Sequence, residues 1–129
     1  TTNLLLDNIK NAKKRIIGYG AATKGNIVLN HCKIGSDKIS LICDENQEKF
    51  GRYTPGTNIK IISKKEMRKI NPNYLLVLIW SFKSEVIRQE IKYIKKGGKL
   101  IFHLPFLHIV DKDNYIKHLN ENFEAFSYK

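Results

Sequence analysis

The chain has 129 residues, 42% of them hydrophobic, a length that suits one core, so we expect a single domain over residues 1–129. Its two cysteines, Cys32 and Cys43, form no Cys-x-x-Cys or His/Cys pattern, which favours buried thiols over a redox or metal site, and no metal is expected. No apolar run reaches the ~18 residues of a membrane helix, and the N-terminus lacks a secretory signal. We therefore expect a cytoplasmic protein without a membrane partner.

The formal net charge of +11 indicates an anionic partner, which could be nucleic acid, acidic lipid or a phosphorylated small molecule. Charge alone does not choose among them. The lysines are spread through every segment, so most are interpreted as solvated helix faces. No surface that interleaves basic and aromatic residues can be placed, and nucleic acid is therefore not favoured.

Helical and apolar patterns alternate along the chain. In chain order they predict a helix over 5–12, a strand over 15–19, a helix that includes 27–28, a strand over 38–43, a strand over 59–62, a helix over 64–70, a strand over 74–80, a helix over 84–94, a strand over 100–104 and a helix over 115–119. Strands that alternate with helices predict an α/β fold with a Rossmann-like, doubly wound, mainly parallel sheet and helices on both faces. The helical and aromatic tail over 108–129 receives no role.

Several residues mark the predicted helix ends. Ser63 followed by Glu66 has the spacing of a capping box, and Asn71 before a proline stops the same helix. Ser81 or Ser84 is predicted to cap the next long helix, and a pair of glycines at 97–98 to end it.

The segment GYGAATKGN over 18–26 lies between a strand and a helix, where free backbone N–H groups and a positive helix end can receive a phosphate. Gly18, Tyr19 and Gly20 would form the turn, Lys24 would neutralise phosphate, and Asn26 would donate a hydrogen bond. The dinucleotide fingerprint expects glycine or alanine where this loop has threonine, and the Walker A pattern fails. The alternative is that these glycines only permit the turn.

Further candidates follow the carboxyl ends of other predicted strands, where ligands of such sheets bind. Asp44 could accept hydrogen bonds from a ribose diol or simply cap a turn. The long loop over 44–58 carries Lys49 and Arg52, which could bind phosphate, although its FGRYTPG segment is also explained by tight turns, with Gly51 left-handed. Trp80 could stack on a base or sugar, or be a plain core residue.

The four histidines show no ligand spacing and no paired nucleophile. They are interpreted as surface residues or satisfied core residues. His103, at the end of the last predicted strand, is the one chosen to test for substrate contact. No catalytic residue is assigned.

The stretches 18–30, 44–59, 75–86 and 97–105 carry a family resemblance. From about residue 16 to 105 the chain resembles the C-terminal domain of bacterial sugar C-methyltransferases, which use S-adenosylmethionine to methylate a nucleotide-activated deoxyketosugar. The resemblance implies a Rossmann-like domain that faces the nucleotide-sugar site. It places the S-adenosylmethionine pocket and the general base in other domains of the same polypeptide, so this chain alone is not expected to transfer methyl groups. Ser81 and His103 depart from the family pattern, which commonly has asparagine and proline there.

Two hypotheses remain open. In the first, the chain is the nucleotide-sugar-binding domain of such an enzyme, with the diphosphate and sugar over 18–26. In the second, it is a free-standing nucleotide or nucleotide-sugar binding module without methyltransferase activity.

Overall fold

The computed structural model describes residues 2–21, 29–30, 32–79, 82–103 and 107–119. Leu29 and Asn30 are helical. In chain order the other elements are α1 (Thr2–Asn11), β1 (Ile16–Tyr19), β2 (Leu41–Asp44), a 3-10 helix (Gln47–Lys49), β3 (Lys60–Ser63), α2 (Lys64–Ile70), β4 (Tyr74–Val77), α3 (Lys83–Gln89), α4 (Ile91–Lys95), β5 (Lys99–Phe102), β6 (His108–Val110) and α5 (Tyr115–Leu119).

The strands form a six-stranded sheet in the order β3-β2-β1-β4-β5-β6. Neighbouring strands from β3 to β5 are parallel, and β6 runs antiparallel to β5. This confirms the predicted doubly wound, mainly parallel sheet. Because the chain moves outward from β1 on one side and through β4 on the other, its topological switch point lies between β1 and β4.

Both faces of the sheet are covered, which explains why its strands are near-continuous apolar runs. One core contains Met67 of α2, Val86 of α3 and Ile94 of α4. The opposite core contains Leu6 and Ile9 of α1, together with Leu29. This division follows from right-handed crossovers, because the connections lead in opposite directions from the switch point.

The ends of α2 confirm the predicted signals. The Ser63 hydroxyl accepts a hydrogen bond from the Glu66 N–H at 3.1 Å. Asn71 adopts a left-handed conformation with φ 53°, and Pro72 follows it. The helix therefore begins and ends where its capping residues place it.

The predicted helix over 84–94 is instead two helices, α3 and α4, separated at Glu90. Glu90 has φ −106° and ψ 20°, so the helical conformation is interrupted there. The predicted serine cap is also wrong for Ser84, because α3 begins at Lys83 and its N-cap position, Phe82, makes no side-chain capping bond. Ser81 lies outside the described residues.

The strand boundaries differ from prediction at several ends. β2 begins at Leu41 because the N–H groups of Lys38 and Ile39 both donate to the Gly35 carbonyl and form a turn. β4 ends at Val77, short of the predicted end at 80. The sequence predicted no element for residues 108–110, but they form β6. The predicted helix over 115–119 is confirmed as α5.

Candidate functional site

A cleft of about 280 Å³ lies at the switch point, beyond the carboxyl ends of β1 and β2 and beside the first turns of α2 and α3. Its apolar wall comprises Ile79, Phe82 and Val86. Its polar wall is formed by Tyr19, Asp44, Glu45, Lys64, Glu85 and Gln89. This is the position at which open α/β sheets bind their ligands.

Gly20 forms the floor of the turn that leaves β1. Its backbone has φ +93°, and a Cβ atom here would lie 2.6 Å from Cγ2 of Ile79. Its N–H donates to the Cys43 carbonyl at 2.8 Å. A Cβ at Gly18 would lie 2.9 Å from Cγ1 of Ile42, so this glycine permits close packing between β1 and β2. Gly20 is therefore required by the turn, and Gly18 by the packing of the two strands.

Asp44 ties the start of the glycine loop to the end of β2. Its Oδ2 accepts from the Ala21 N–H at 2.9 Å, and its Oδ1 accepts from the Asn46 N–H at 2.8 Å. Lys49 donates to the Ala21 carbonyl at 3.0 Å, and its Nζ lies 3.8 Å from Asp44 Oδ2. The structure thus brings together Asp44, Lys49 and the loop after Gly20, and it gives Asp44 the capping role that was the alternative to ribose binding.

Tyr19 links the cleft to a buried carboxylate. Its hydroxyl donates to Glu90 Oε2 at 3.0 Å, and lies 3.2 Å from Gln89 Oε1. The same Glu90 oxygen accepts from Arg68 at 2.7 Å, and Glu90 is 1% exposed. Burial, followed by the Glu90 charge, raises the pKa of Tyr19, so its phenol remains a hydrogen-bond donor at neutral pH.

Lys64 is held within the cleft's polar wall. Its Nζ donates to Glu45 at 2.6 Å and to Gln89 at 2.9 Å, and lies 4.7 Å from the centre of the Tyr19 ring. The described lining residues include one cation, Lys64, and three carboxylates, those of Asp44, Glu45 and Glu85. A wall rich in acceptors suits ligand hydroxyl groups better than it suits phosphate.

Of the remaining predicted site residues, the structure describes Arg52, which lies elsewhere. Arg52 is not among the lining residues of the cleft; its carbonyl accepts from the Ile61 N–H at 2.8 Å, on the outer side of the edge strand β3. Lys24, Asn26 and Trp80 lie outside the described residues. The binding roles of these residues stay predictions.

Sequence reasoning missed a cluster around Lys83, whose side chain is buried with 1% exposure. Lys83 Nζ lies 2.7 Å from Nε2 of His108 and 3.0 Å from Nδ1 of His118. The His108 ring stacks on Phe102 and on His118, with centroids 5.3 and 5.2 Å apart. These contacts join the N-terminus of α3 to β6 and α5, and no spacing along the chain could have revealed them.

His103, the histidine chosen as a test of substrate contact, follows β5. Both of its ring nitrogens are buried without a hydrogen-bond partner in the part of the chain that the structure describes. Burial lowers the pKa of His103, so the imidazole is neutral at neutral pH. It is not among the described residues that line the cleft.

Comparisons with known proteins find similar sequences. The family model for the C-methyltransferase C-terminal domain matches residues 2–105. C-methyltransferase NovU of Streptomyces niveus is 32% identical over 101 residues, covering 78% of this chain and 24% of that protein. The chain therefore spans about a quarter of the length of this relative.

Among solved structures, the crystal structure of UDP-D-quinovosamine 4-dehydrogenase from Vibrio fischeri is similar, with a TM-score of 0.49 and 17% identity. The alignment covers 81% of this chain and 84% of that one. Over the described stretches, none of the helices has the length and apolar character needed to cross a bilayer.

Proposed function

The chain belongs to the C-methyltransferase C-terminal domain family, and from this membership we propose that it forms one wall of a nucleotide-sugar site in a C-methyltransferase that acts on a deoxyketosugar. The single observation that carries the proposal is the cleft between β1 and β4, whose lining combines apolar side chains with acceptor-rich ones. Sugars need such a pair of surfaces, because their ring faces are apolar and their hydroxyl groups donate hydrogen bonds.

The size of the cleft supports a shared site. Complete small-molecule sites measure roughly 300–1,000 Å³, and this cleft measures about 280 Å³. A cleft of this size receives one part of a nucleotide sugar. The other walls of the site are then supplied by the S-adenosylmethionine-binding part of the same polypeptide, which is the partner that we propose for this surface.

Within the cleft, the sugar ring would lie against Phe82, whose side chain is 54% exposed at the rim. Its hydroxyl groups would donate to Glu85 and Glu45. The carboxylates disfavour phosphate here, so we place the diphosphate outside the cleft, over the glycine loop with Lys24 and Asn26.

The two remaining candidates lie farther from the cleft's centre in this proposal. Arg52, on the outer side of β3, would contact only a ligand that extends beyond the cleft. Trp80 would stack on the base or on the sugar, next to the end of β4 in sequence.

S-adenosylmethionine would supply an electrophilic methyl group. The residues that line the cleft do not fit the whole S-adenosylmethionine molecule. The cleft is smaller than a complete site for a molecule of that size. The Asp44 carboxylate, the acceptor that a ribose diol would require, already accepts one hydrogen bond at each oxygen, from Ala21 in the glycine loop and from Asn46 after β2. We therefore propose that the methyl donor binds in another part of the protein.

The residues of this chain would bind and orient the sugar rather than remove its proton. Tyr19 and Cys43 are both protonated at neutral pH, because burial raises the pKa of each. Neither therefore provides a general base, and the family resemblance implies that the base lies in another part of the protein.

The proposal is tested by calorimetric titration of the natural protein with a thymidine diphosphate sugar. Glu85→Gln should weaken binding about tenfold, because a charged acceptor is replaced by a neutral amide oxygen, and Lys24→Ala should weaken it by a similar factor. Glu66→Gln, an acid exposed on α2 and outside the cleft, is the matched control. Equal affinity in Glu85→Gln and the control would overturn the assignment of the cleft, and unchanged affinity in Lys24→Ala and Arg52→Ala would remove both from the site.

The alternative is a free-standing nucleotide-sugar binding module. It predicts the same binding but no methyl transfer from S-adenosylmethionine by the natural protein. Methylation of the bound sugar, followed by mass spectrometry, would exclude that alternative.

A further inference from the structure

A second concave surface lies between α2 and the α3–α4 pair, on the face of the sheet that these helices cover. This groove measures about 600 Å³. Four cationic side chains line it, those of Arg68, Arg88, Lys92 and Lys96. The carboxylate that lines it with them is Glu90, which is buried. The groove therefore carries an excess of positive charge.

Three of these cations recur at intervals of four residues along α3, α4 and the residue after α4. Like charges at this spacing repel one another and destabilise a helix. Some cations of the chain lie beside acids, as in the Lys38–Asp7 and Lys64–Glu45 ion pairs. No ion pair is formed by Arg88, Lys92 or Lys96 with the residues that the structure describes. These three cations thus add like-charge repulsion to the groove without an ion pair that offsets it.

Arg68 is fixed in place on the opposite side of the groove. Its guanidinium donates to the buried carboxylate of Glu90 at 2.7 Å, while half of its side chain is exposed. Glu90 is itself held by the Tyr19 hydroxyl at 3.0 Å. A guanidinium has five N–H donors in a rigid fork, so an arginine anchored through one of them retains others for an anion.

We propose that this groove is a second ligand site, which binds a phosphate-bearing small molecule. Its volume of about 600 Å³ lies within the roughly 300–1,000 Å³ of small-molecule sites. Arginines bind phosphate through paired, charge-assisted hydrogen bonds, and the amide groups of Asn71 and Gln89 add donors at the rim. The aromatic residue lining it, Tyr93, is buried and donates to the Pro72 carbonyl, so the groove offers no stacking platform for nucleic acid.

The probe is inorganic pyrophosphate, titrated calorimetrically into the natural protein at fixed ionic strength. The triple variant Arg88→Ala, Lys92→Ala, Lys96→Ala removes three cations of the groove and leaves the Arg68–Glu90 pair intact. The matched control is Lys60→Ala, Lys65→Ala, Lys69→Ala, which removes the same charge from three exposed lysines that do not line the groove. We expect affinity to fall at least about tenfold in the groove variant and to change less than about twofold in the control.

Equal weakening in both triple variants would mean non-specific attraction to a basic protein and would overturn the proposal. Absence of saturable pyrophosphate binding to the wild type would also overturn it. An acidic peptide that binds in the groove more tightly than pyrophosphate would reassign the surface to a protein partner. Thermal unfolding of each variant checks that the substitutions leave the fold intact. Phe82→Ala, which alters the β1–β4 cleft, should retain pyrophosphate binding if the ligand occupies the groove.

Discussion

At Gly20 the chain leaves β1 in a left-handed backbone conformation that residues with a side chain rarely adopt. The side chain of Ile79 packs against this glycine. The sequence predicted a turn here but not the residue that closes over it, because Ile79 follows a strand that is remote in sequence. The same holds for Asp44, whose contacts with Ala21 and Asn46 show the turn-capping role, while ribose binding stays a prediction. At the scale of single residues, local chemistry could be predicted and its partners could not.

Gly20→Ala should therefore lower the free energy of unfolding by about 2–4 kcal/mol, from backbone strain and a steric clash together. Gly51→Ala is the control, because its φ is also positive, at +81°, but nothing lies within 4 Å of the added Cβ. We expect the control to lose only about 1–2 kcal/mol. Urea denaturation measures both, and equal losses would show that Ile79 does not constrain this turn.

The two thiols should differ in reactivity. Burial raises the pKa of Cys43 from 9.0 to about 12, so its thiol stays protonated at pH 8, whereas Cys32 is partly exposed. Ellman's reagent should modify the Cys32 thiol rapidly in the native protein, and the thiols of both cysteines in urea. Because the pKa of Cys43 is raised on folding, its stabilising contribution is complete below pH 9 and is lost as the pH rises towards 12. A rapid phase that persists in Cys32→Ser would contradict this.

At the scale of elements, the glycine loop, the cap of α2 and the parallel strands could be predicted because each has a local pattern. β6 could not, since its three residues show no alternation and pair only with β5. The break between α3 and α4 escaped prediction for a related reason. Glu90 accepts hydrogen bonds from β1 and α2, and a carboxylate within an apolar stripe gives no sign of partners that distant.

Tyr19→Phe tests how strongly this network joins the sheet to the helices. Removal of the hydroxyl takes a donor from the buried Glu90 carboxylate, and we expect a loss of about 1.5–3 kcal/mol in the free energy of unfolding. Tyr53→Phe serves as the control, because Tyr53 is 56% exposed, and should change stability by less than about 0.5 kcal/mol. If the two variants are equally stable in urea, the Tyr19–Glu90 bond does not contribute to the fold.

At the scale of the whole molecule, the alternation of strands and helices was sufficient to predict a doubly wound sheet, and the sheet determines where a ligand can bind. The order of strands was not predictable in detail, but the switch point between β1 and β4 follows from it. Sequence reasoning looked for phosphate ligands at this edge. In the part of the chain that the structure describes, an acceptor-rich cleft lies at this edge, and four cations line a groove between helices. Charge that is spread evenly along a sequence can thus be segregated by the fold.

We propose that the β1–β4 cleft receives the sugar of a nucleotide sugar, and a crystal structure of the natural protein with a bound thymidine diphosphate sugar tests this proposal. We expect the sugar ring within about 4 Å of Phe82 and a sugar hydroxyl that donates to Glu85 or Glu45. A ligand bound with no contact to this edge of the sheet would contradict it.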